Sequence, residues 1–264
     1  MITSTSNNKI KNLSKLVKTA KERKKQDVFV VEGVRMFTEI PKELHVETFA
    51  SQGFYEKNEA LFAGFNFELV SDHIIESVSD TKTPQGVISI VKRQHYSLDE
   101  VCGESSYMKE QGVRKPLVMA LENIQDPGNL GTILRTAEGA GVTGVLMSRD
   151  TVDIYNPKVV RATMGSIFRM PFYYVENLTA CIEEMNGKGY GTYSAHLQGK
   201  TFYDFDYKNS TIFCIGNEGN GLTKELSDAT KCKIKIPMMG NVESLNAATA
   251  STVLMYEAMR QRRN

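Results

Sequence analysis

Apolar residues in this chain recur with two rhythms. Between residues 9 and 25 they fall at Ile10, Leu13, Leu16, Val17 and Ala20. This three-and-four spacing lines one side of a helix, so a single amphipathic helix is predicted there. Further on, short apolar runs alternate with helical stretches. Residues 28–31, 46–50, 67–70 and 86–91 read as strands. Helices are predicted through Met36 and Ile40, over 56–62, and through Ile74, Ile75 and Val78 with Ser71 as cap. The βαβαβαβ order defines an α/β domain over residues 1–92.

A polar, charged tract over 93–115 reads as a linker, and a second α/β domain is expected over 116–264. Its predicted strands are 117–121, 144–147, 172–175, 191–195, 212–215 and 233–236. Leu130, Ile133, Leu134 and Ala137 form a helical stripe, with Asn129 a candidate cap and Arg135 about a turn and a half beyond it. Asn156-Pro157 opens a helix holding Lys158, Arg161 and Met164. Further helices are expected over 178–185, 222–229 and 244–261, and a surface-packed aromatic loop over 200–210.

Two strand ends break into loops. Residues 212–215 stop at Gly216, and Gly219 and Gly221 follow; residues 233–236 stop at Pro237. Loops at the ends of such strands are where an open α/β sheet holds a small ligand. The spacing alone also fits two ordinary turns. Gly139-Ala140-Gly141-Val142-Thr143-Gly144 matches G-x-G-x-x-G. A dinucleotide fingerprint must follow a strand and open a helix. Here the order is reversed, so a helix end and a turn are expected.

Composition narrows the class. Hydrophobic residues at 41% and charged residues at 24% describe a globular chain. No apolar run approaches the roughly 20 residues of a membrane span. The first residues lack the apolar core of a secretory signal, so a cytoplasmic protein is expected. Cys102, Cys181, Cys214 and Cys232 are scattered among four distant histidines, and no metal site is expected. Net charge is only +1, yet residues 9–25 hold eight basic side chains against the single acid Glu22. That clustering is a footprint for a polyanion such as RNA, with a solvated face on a docked helix as the alternative.

Three motifs stand in order along the second half. They are Asn129-Leu130-Gly131-Thr132-Ile133-Leu134-Arg135-Thr136-Ala137, then Ile215-Gly216-Asn217-Glu218-Gly219-Asn220-Gly221-Leu222, then Ile236-Pro237-Met238 with Glu243-Ser244-Leu245-Asn246-Ala247. Together they resemble the three motifs of the SpoU/TrmH family of RNA ribose 2′-O-methyltransferases, in the SPOUT superfamily. Phe29-Val30-Val31-Glu32-Gly33 and Thr83-Pro84-Gln85-Gly86 are similar to landmarks of that family's substrate-binding domain, which resembles ribosomal protein L30e. Ala247-Ala248 stand where many relatives have Val-Ser, an exchange of small residues.

The resemblance implies an L30e-like α/β domain followed by a SPOUT α/β domain with a C-terminal trefoil knot. It implies S-adenosylmethionine as methyl donor and a homodimer whose active site borrows from both subunits. Arg135 matches the catalytic arginine. Its guanidinium has donors only and stays charged, so it is expected to bind a phosphate and stabilise the developing alkoxide. Asn129 would position Arg135 or the ribose, Glu218 would order its loop, and Ser244 and Asn246 would offer polar contacts. Gly216, Asn217, Gly219, Ile236, Met238 and Leu245 would line the cofactor pocket. The favoured substrate is 23S ribosomal RNA, with tRNA as the alternative. A non-catalytic RNA-binding factor on the same fold is opposed by the intact motif residues.

Overall fold

The structure, a computed structural model, describes residues 1–103 and 115–263. Along the chain the elements are α1 (Asn8–Lys18), α2 (Ala20–Gln26), β1 (Val28–Glu32), α3 (Val34–Thr38), β2 (His45–Ser51), α4 (Gln52–Asn58), β3 (Phe67–Val70), α5 (Asp72–Val78), β4 (Val87–Lys92), α6 (Leu98–Cys102), β5 (Leu117–Leu121), α7 (Pro127–Gly139), β6 (Gly144–Ser148), α8 (Pro157–Thr163), β7 (Phe172–Val175), α9 (Leu178–Gly187), β8 (Gly191–Thr201), β9 (Thr211–Ile215), α10 (Lys224–Ala229), β10 (Cys232–Lys235) and α11 (Ala247–Arg263). They form two units. One joins Met1–Gln94 with Asp153–Phe168, and the other joins His95–Val152 with Arg169–Asn264. No helix among the described residues is long and apolar enough to cross a membrane.

The first unit is built on a four-stranded sheet in the order β1-β4-β2-β3. Strand β4 runs antiparallel to β1 and β2, while β2 and β3 are parallel. Ile10, Leu13, Leu16 and Val17 of α1 pack into a core with Val30, Phe49, Val70, Ile74, Ile88 and Ile90. The expected single helix over 9–25 is in fact two. Thr19 is extended (φ −129°, ψ 112°) and Ala20 is exposed. The reason lies at Arg23, only 4% exposed. Its Nη1 donates to Leu16 O (2.9 Å) and Val17 O (3.2 Å), carbonyls left free by the break. Its Nη2 pairs with Asp153 at 2.7 Å.

The sequence-based boundary at 116 gives residues 153–168 to the second domain, whereas they pack with the first unit. Tyr155 and Phe168 lie against Phe29, with ring centroids 4.6 and 6.0 Å away. Arg161 pairs with Asp80 at 2.9 Å and approaches the buried Glu32 at 3.6 Å. Glu32 also accepts hydrogen bonds from Thr81 Oγ1 (2.7 Å) and Ser79 Oγ. A buried carboxylate needs such partners, and α8 brings the cation.

The second unit has a six-stranded parallel sheet in the order β10-β8-β9-β5-β6-β7. From β5 the chain builds outward to β6 and β7, then fills the other side with β8, β9 and β10. The order therefore reverses between β5 and β9, and a ligand crevice belongs outside their carboxyl ends. Part of the expected linker is structural: Val101 and Cys102 of α6 join the core beside Val118, Leu146 and Ile212. Residues 104–114 of that linker lie outside the described residues. As expected, the G-x-G-x-x-G match runs from the end of α7 at Gly139, through Gly141 at φ 74°, into β6. In the aromatic tract 200–210, Phe202 and Tyr207 are buried, and Tyr207 donates to Phe202 O at 2.7 Å.

Candidate active site

Because the six strands are parallel, the segments following β5, β9 and β10 all open at one edge of the sheet. After β5 the chain turns through Glu122 to Asp126 into α7. Asp126, not Asn129, caps the helix: its Oδ1 accepts from Asn129 N at 2.7 Å. Asn129 sits in the first turn, which frees its amide. Nδ2 donates to Glu218 Oε1 (2.9 Å), and Oδ1 accepts from Asn246 Nδ2 (2.9 Å). Asn246 caps α11, its Oδ1 accepting from Ala248 N (2.9 Å) and Thr249 N (3.3 Å). The final helix therefore starts at Ala247, three residues later than expected, and Ser244 precedes it. The cap fixes which way the Asn246 amide points, and that in turn fixes Asn129.

The glycine loop is closed on itself. A Cβ placed on Gly216 would lie 2.1 Å from the carbonyl carbon of Gly221, so no other residue fits. Gly221 has φ 68° and pairs with Asn217 through Asn217 N→Gly221 O (3.0 Å) and Gly221 N→Asn217 O (2.9 Å). The Asn217 side chain holds the turn from inside. Its Oδ1 accepts from Gly219 N (2.9 Å) and Asn220 N (3.2 Å), and its Nδ2 donates to Asn123 O (2.8 Å). Asn217 thus organises the loop. Glu218 reaches the same loop and accepts from the backbone N–H groups of Gln125 and Asp126, both at 3.2 Å. Burial would raise its pKa, but the hydrogen bonds from Asn129, Gln125 and Asp126 outweigh that and lower it.

Three of the five candidate catalytic residues, Asn129, Glu218 and Asn246, therefore form one hydrogen-bonded chain. Arg135 and Ser244 stand outside it, both exposed, and neither side chain makes a hydrogen bond or ion pair among the described residues. Since α7 starts at Pro127, Arg135 lies about 9 Å along the axis from Asn129 and about 120° around it. Its side chain remains available to a ligand.

Ile236, Met238 and Leu245 lie on the segment between β10 and α11 and are each half-buried. Apolar side chains left partly open at the same edge as a tight glycine loop suit a ligand with an aromatic, weakly polar body. The adenosine part of S-adenosylmethionine fits that description. Ile236, Met238 and Leu245 would hold its adenosine, and the Gly216 and Gly219 backbone would meet its polar edge. Among the described residues no group of three or more His, Cys, Asp or Glu could hold a metal ion.

One feature of this edge was missed by the expected strand over 191–195. Strand β8 continues to Thr201, but residues 195–199 bulge out between two stretches paired with β10. The bulge starts where β8 and β9 part, after Ser194↔Cys214, so it opens beside the glycine loop. Gly199 lets the chain return: a Cβ there would lie 2.5 Å from the carbonyl carbon of Ile234. That glycine, inside an otherwise strand-like run, was the available signal.

The chain belongs to the SpoU rRNA methylase family, whose model matches residues 116–256. A model of the MRM3-like substrate binding domain matches residues 7–89. The 23S rRNA (guanosine(2553)-2′-O)-methyltransferase RlmP of Bacillus subtilis is 31% identical, covering 97% of this chain and 97% of its own. An uncharacterised tRNA/rRNA methyltransferase of Synechocystis sp. is 32% identical over 98% of this chain and 93% of its own. The AdoMet-bound rRNA methyltransferase from Sinorhizobium meliloti superposes with a TM-score of 0.83 at 28% identity, over 98% of this chain and 97% of that one. The protein is an RNA methyltransferase, and S-adenosylmethionine is its cofactor.

Proposed function

We propose that this chain methylates a ribose 2′-hydroxyl of 23S ribosomal RNA. The observation that carries the site assignment is the Asn129–Glu218–Asn246 chain, which ties together the three motif segments, while Arg135, further along the helix whose first turn holds Asn129, stays free to meet a ligand. S-adenosylmethionine supplies an electrophilic methyl group when bound. Arg135 holds the neighbouring phosphate and stabilises the negative charge that develops on the ribose oxygen. Asn129 fixes the glycine loop through Glu218 and the start of α11 through Asn246, and Ser244 offers a hydroxyl to the substrate.

The RNA docks on the lysine face of the first unit. Of the eight basic residues over 9–25, Lys9 is held by Glu47 and Glu68, and Arg23 is buried. Lys11, Lys15, Lys18, Lys21, Lys24 and Lys25 stay exposed and form no ion pair among the described residues. We further propose a homodimer with a C-terminal trefoil knot, supported by the motif resemblance set out above.

The test is transfer of labelled methyl groups to purified 23S rRNA and to tRNA, followed by mapping of 2′-O-methyl positions. Label should enter 23S rRNA at a ribose. Arg135→Ala should abolish transfer while calorimetry shows the donor still bound. Transfer to tRNA alone would refute the substrate, and loss of donor binding would make Arg135 structural.

A further inference from the structure

We infer that Glu122 is a positioning residue for the methyl-donor site, acting through Thr223 to hold the glycine loop 216–222 in its binding shape. The inference rests on the reading of that loop as the donor site.

Glu122 is the first residue after β5 and is 8% exposed. Its backbone N–H donates to Ile215 O at 2.9 Å, so the β5–β9 ladder runs right up to the two loops. Its carboxylate then turns to a single partner. Oε2 accepts from Thr223 N and Oε1 from Thr223 Oγ1, both at 2.7 Å. No lysine or arginine pairs with it among the described residues. A buried carboxylate held only by neutral donors depends on each of them.

Thr223 is the point where the glycine loop ends. It caps α10, its Oγ1 also accepting from Leu226 N at 3.2 Å. Glu122 therefore anchors the exit of the loop to the strand next to its entrance. The loop cannot absorb a shift of that anchor, because Gly221 and Leu222 already pass Gly216 with no room for a methyl group. Releasing the exit would draw Gly221 and Leu222 off Gly216. The arrangement is reciprocal: Glu218, on the glycine loop, accepts from Gln125 N and Asp126 N on the β5 loop. Each loop lends a carboxylate to the backbone of the other. Glu218 also bonds Asn129, whereas the Glu122 carboxylate makes no hydrogen bond to Asn129, Glu218 or Asn246.

The test replaces Glu122 with glutamine in the full chain. The amide keeps one acceptor oxygen for Thr223 N and turns its NH2 toward the Thr223 hydroxyl, which must then accept, so both charge-assisted bonds become neutral ones. Calorimetric Kd for S-adenosylmethionine should rise about tenfold, the difference between charge-assisted and neutral hydrogen bonds at a buried site. With saturating donor, kcat should stay within about twofold, and RNA affinity should not change. Thr223→Val should raise Kd likewise, and it stands in for Glu122→Gln should that variant not fold. The double variant should be no worse than either single, and Thr223→Ser should restore tight binding. A lowered Tm with unchanged donor Kd, or additive effects in the double variant, would overturn the inference. Gly216→Ala separates the two readings. If it abolishes donor binding while Glu122→Gln has no effect, Glu122 alone is misassigned; if neither variant changes Kd, the loop is not the donor site.

Discussion

Removing Lys11, Lys15 and Lys18 together tests the RNA-docking face most directly. They stand at i, i+4 and i+7 of α1, on one side and about 10 Å from first to last. All three are exposed, and none is engaged by an acid among the described residues. Each lysine that neutralises a phosphate contributes about 0.7 to the slope of log affinity against log salt on single strands, and about 0.9 on a duplex. A triple alanine variant should therefore lose about 2 to 3 units of slope. Between about 50 and 200 mM salt, its disadvantage relative to wild type should shrink roughly 20- to 40-fold. Fluorescence anisotropy with a labelled 23S rRNA transcript over that salt range measures both quantities. Lys9→Ala is the control, removing one positive charge that Glu47 and Glu68 already hold at 2.5 and 2.7 Å. It should leave the slope unchanged. A flattened slope in Lys9→Ala equal to that of Lys15→Ala would mean net charge, not this face, governs binding, and an unchanged slope in the triple variant would refute docking there.

Three further expectations concern stability and reactivity. Because folded Glu218 has a lowered pKa, its contribution is complete above the unfolded value of 4.5 and is lost as pH falls through the folded one. Glu218→Gln should therefore flatten the fall in Tm from about pH 6 to about pH 3, and an unaltered acid limb would contradict this. Arg262 gives hydrogen bonds to the carbonyls of Tyr207, Lys115, Pro116 and Asn209, and its burial lowers its pKa to about 10. Arg262→Ala should cost about 3 kcal/mol or more in urea unfolding, with Arg262→Lys recovering part; a loss under about 1 kcal/mol would show those carbonyls to be solvated. Burial pushes Cys102 to about 12, Cys181 to about 11 and Cys214 upward as well. The native protein should show one rapidly reactive thiol, Cys232, and four after unfolding; a second fast thiol would contradict this.

Strands were the most legible part of the sequence, because buried parallel strands are short apolar runs with visible ends. Strand β5 and the glycine loop after β9 needed only local reading. The break at Thr19 did not announce itself, since threonine is no helix breaker. It depends on Arg23 turning inward to Asp153, 130 positions away. The start of α11 was legible in principle: asparagine is a favoured cap, but Leu245 extended the apolar pattern and hid it. Within the site, motif order found the residues but not their wiring. Asn246 and Asn129 are 117 positions apart, and only the fold brings their amides together. Glu122, a lone acid after a strand, looked unremarkable until its partner at Thr223 was known.

The inclusion of residues 153–168 in the first unit has a consequence for how the protein is made and handled. The ribosome delivers Phe29 and Glu32 long before Tyr155, Arg161 and Phe168 emerge to cover them. A nascent or truncated chain ending at Gln94 would display an uncovered aromatic ring and an unneutralised interior acid, a state prone to aggregate. The smallest autonomous version of the first unit is thus a spliced one, with 153–168 joined back to 1–94 by a short turn.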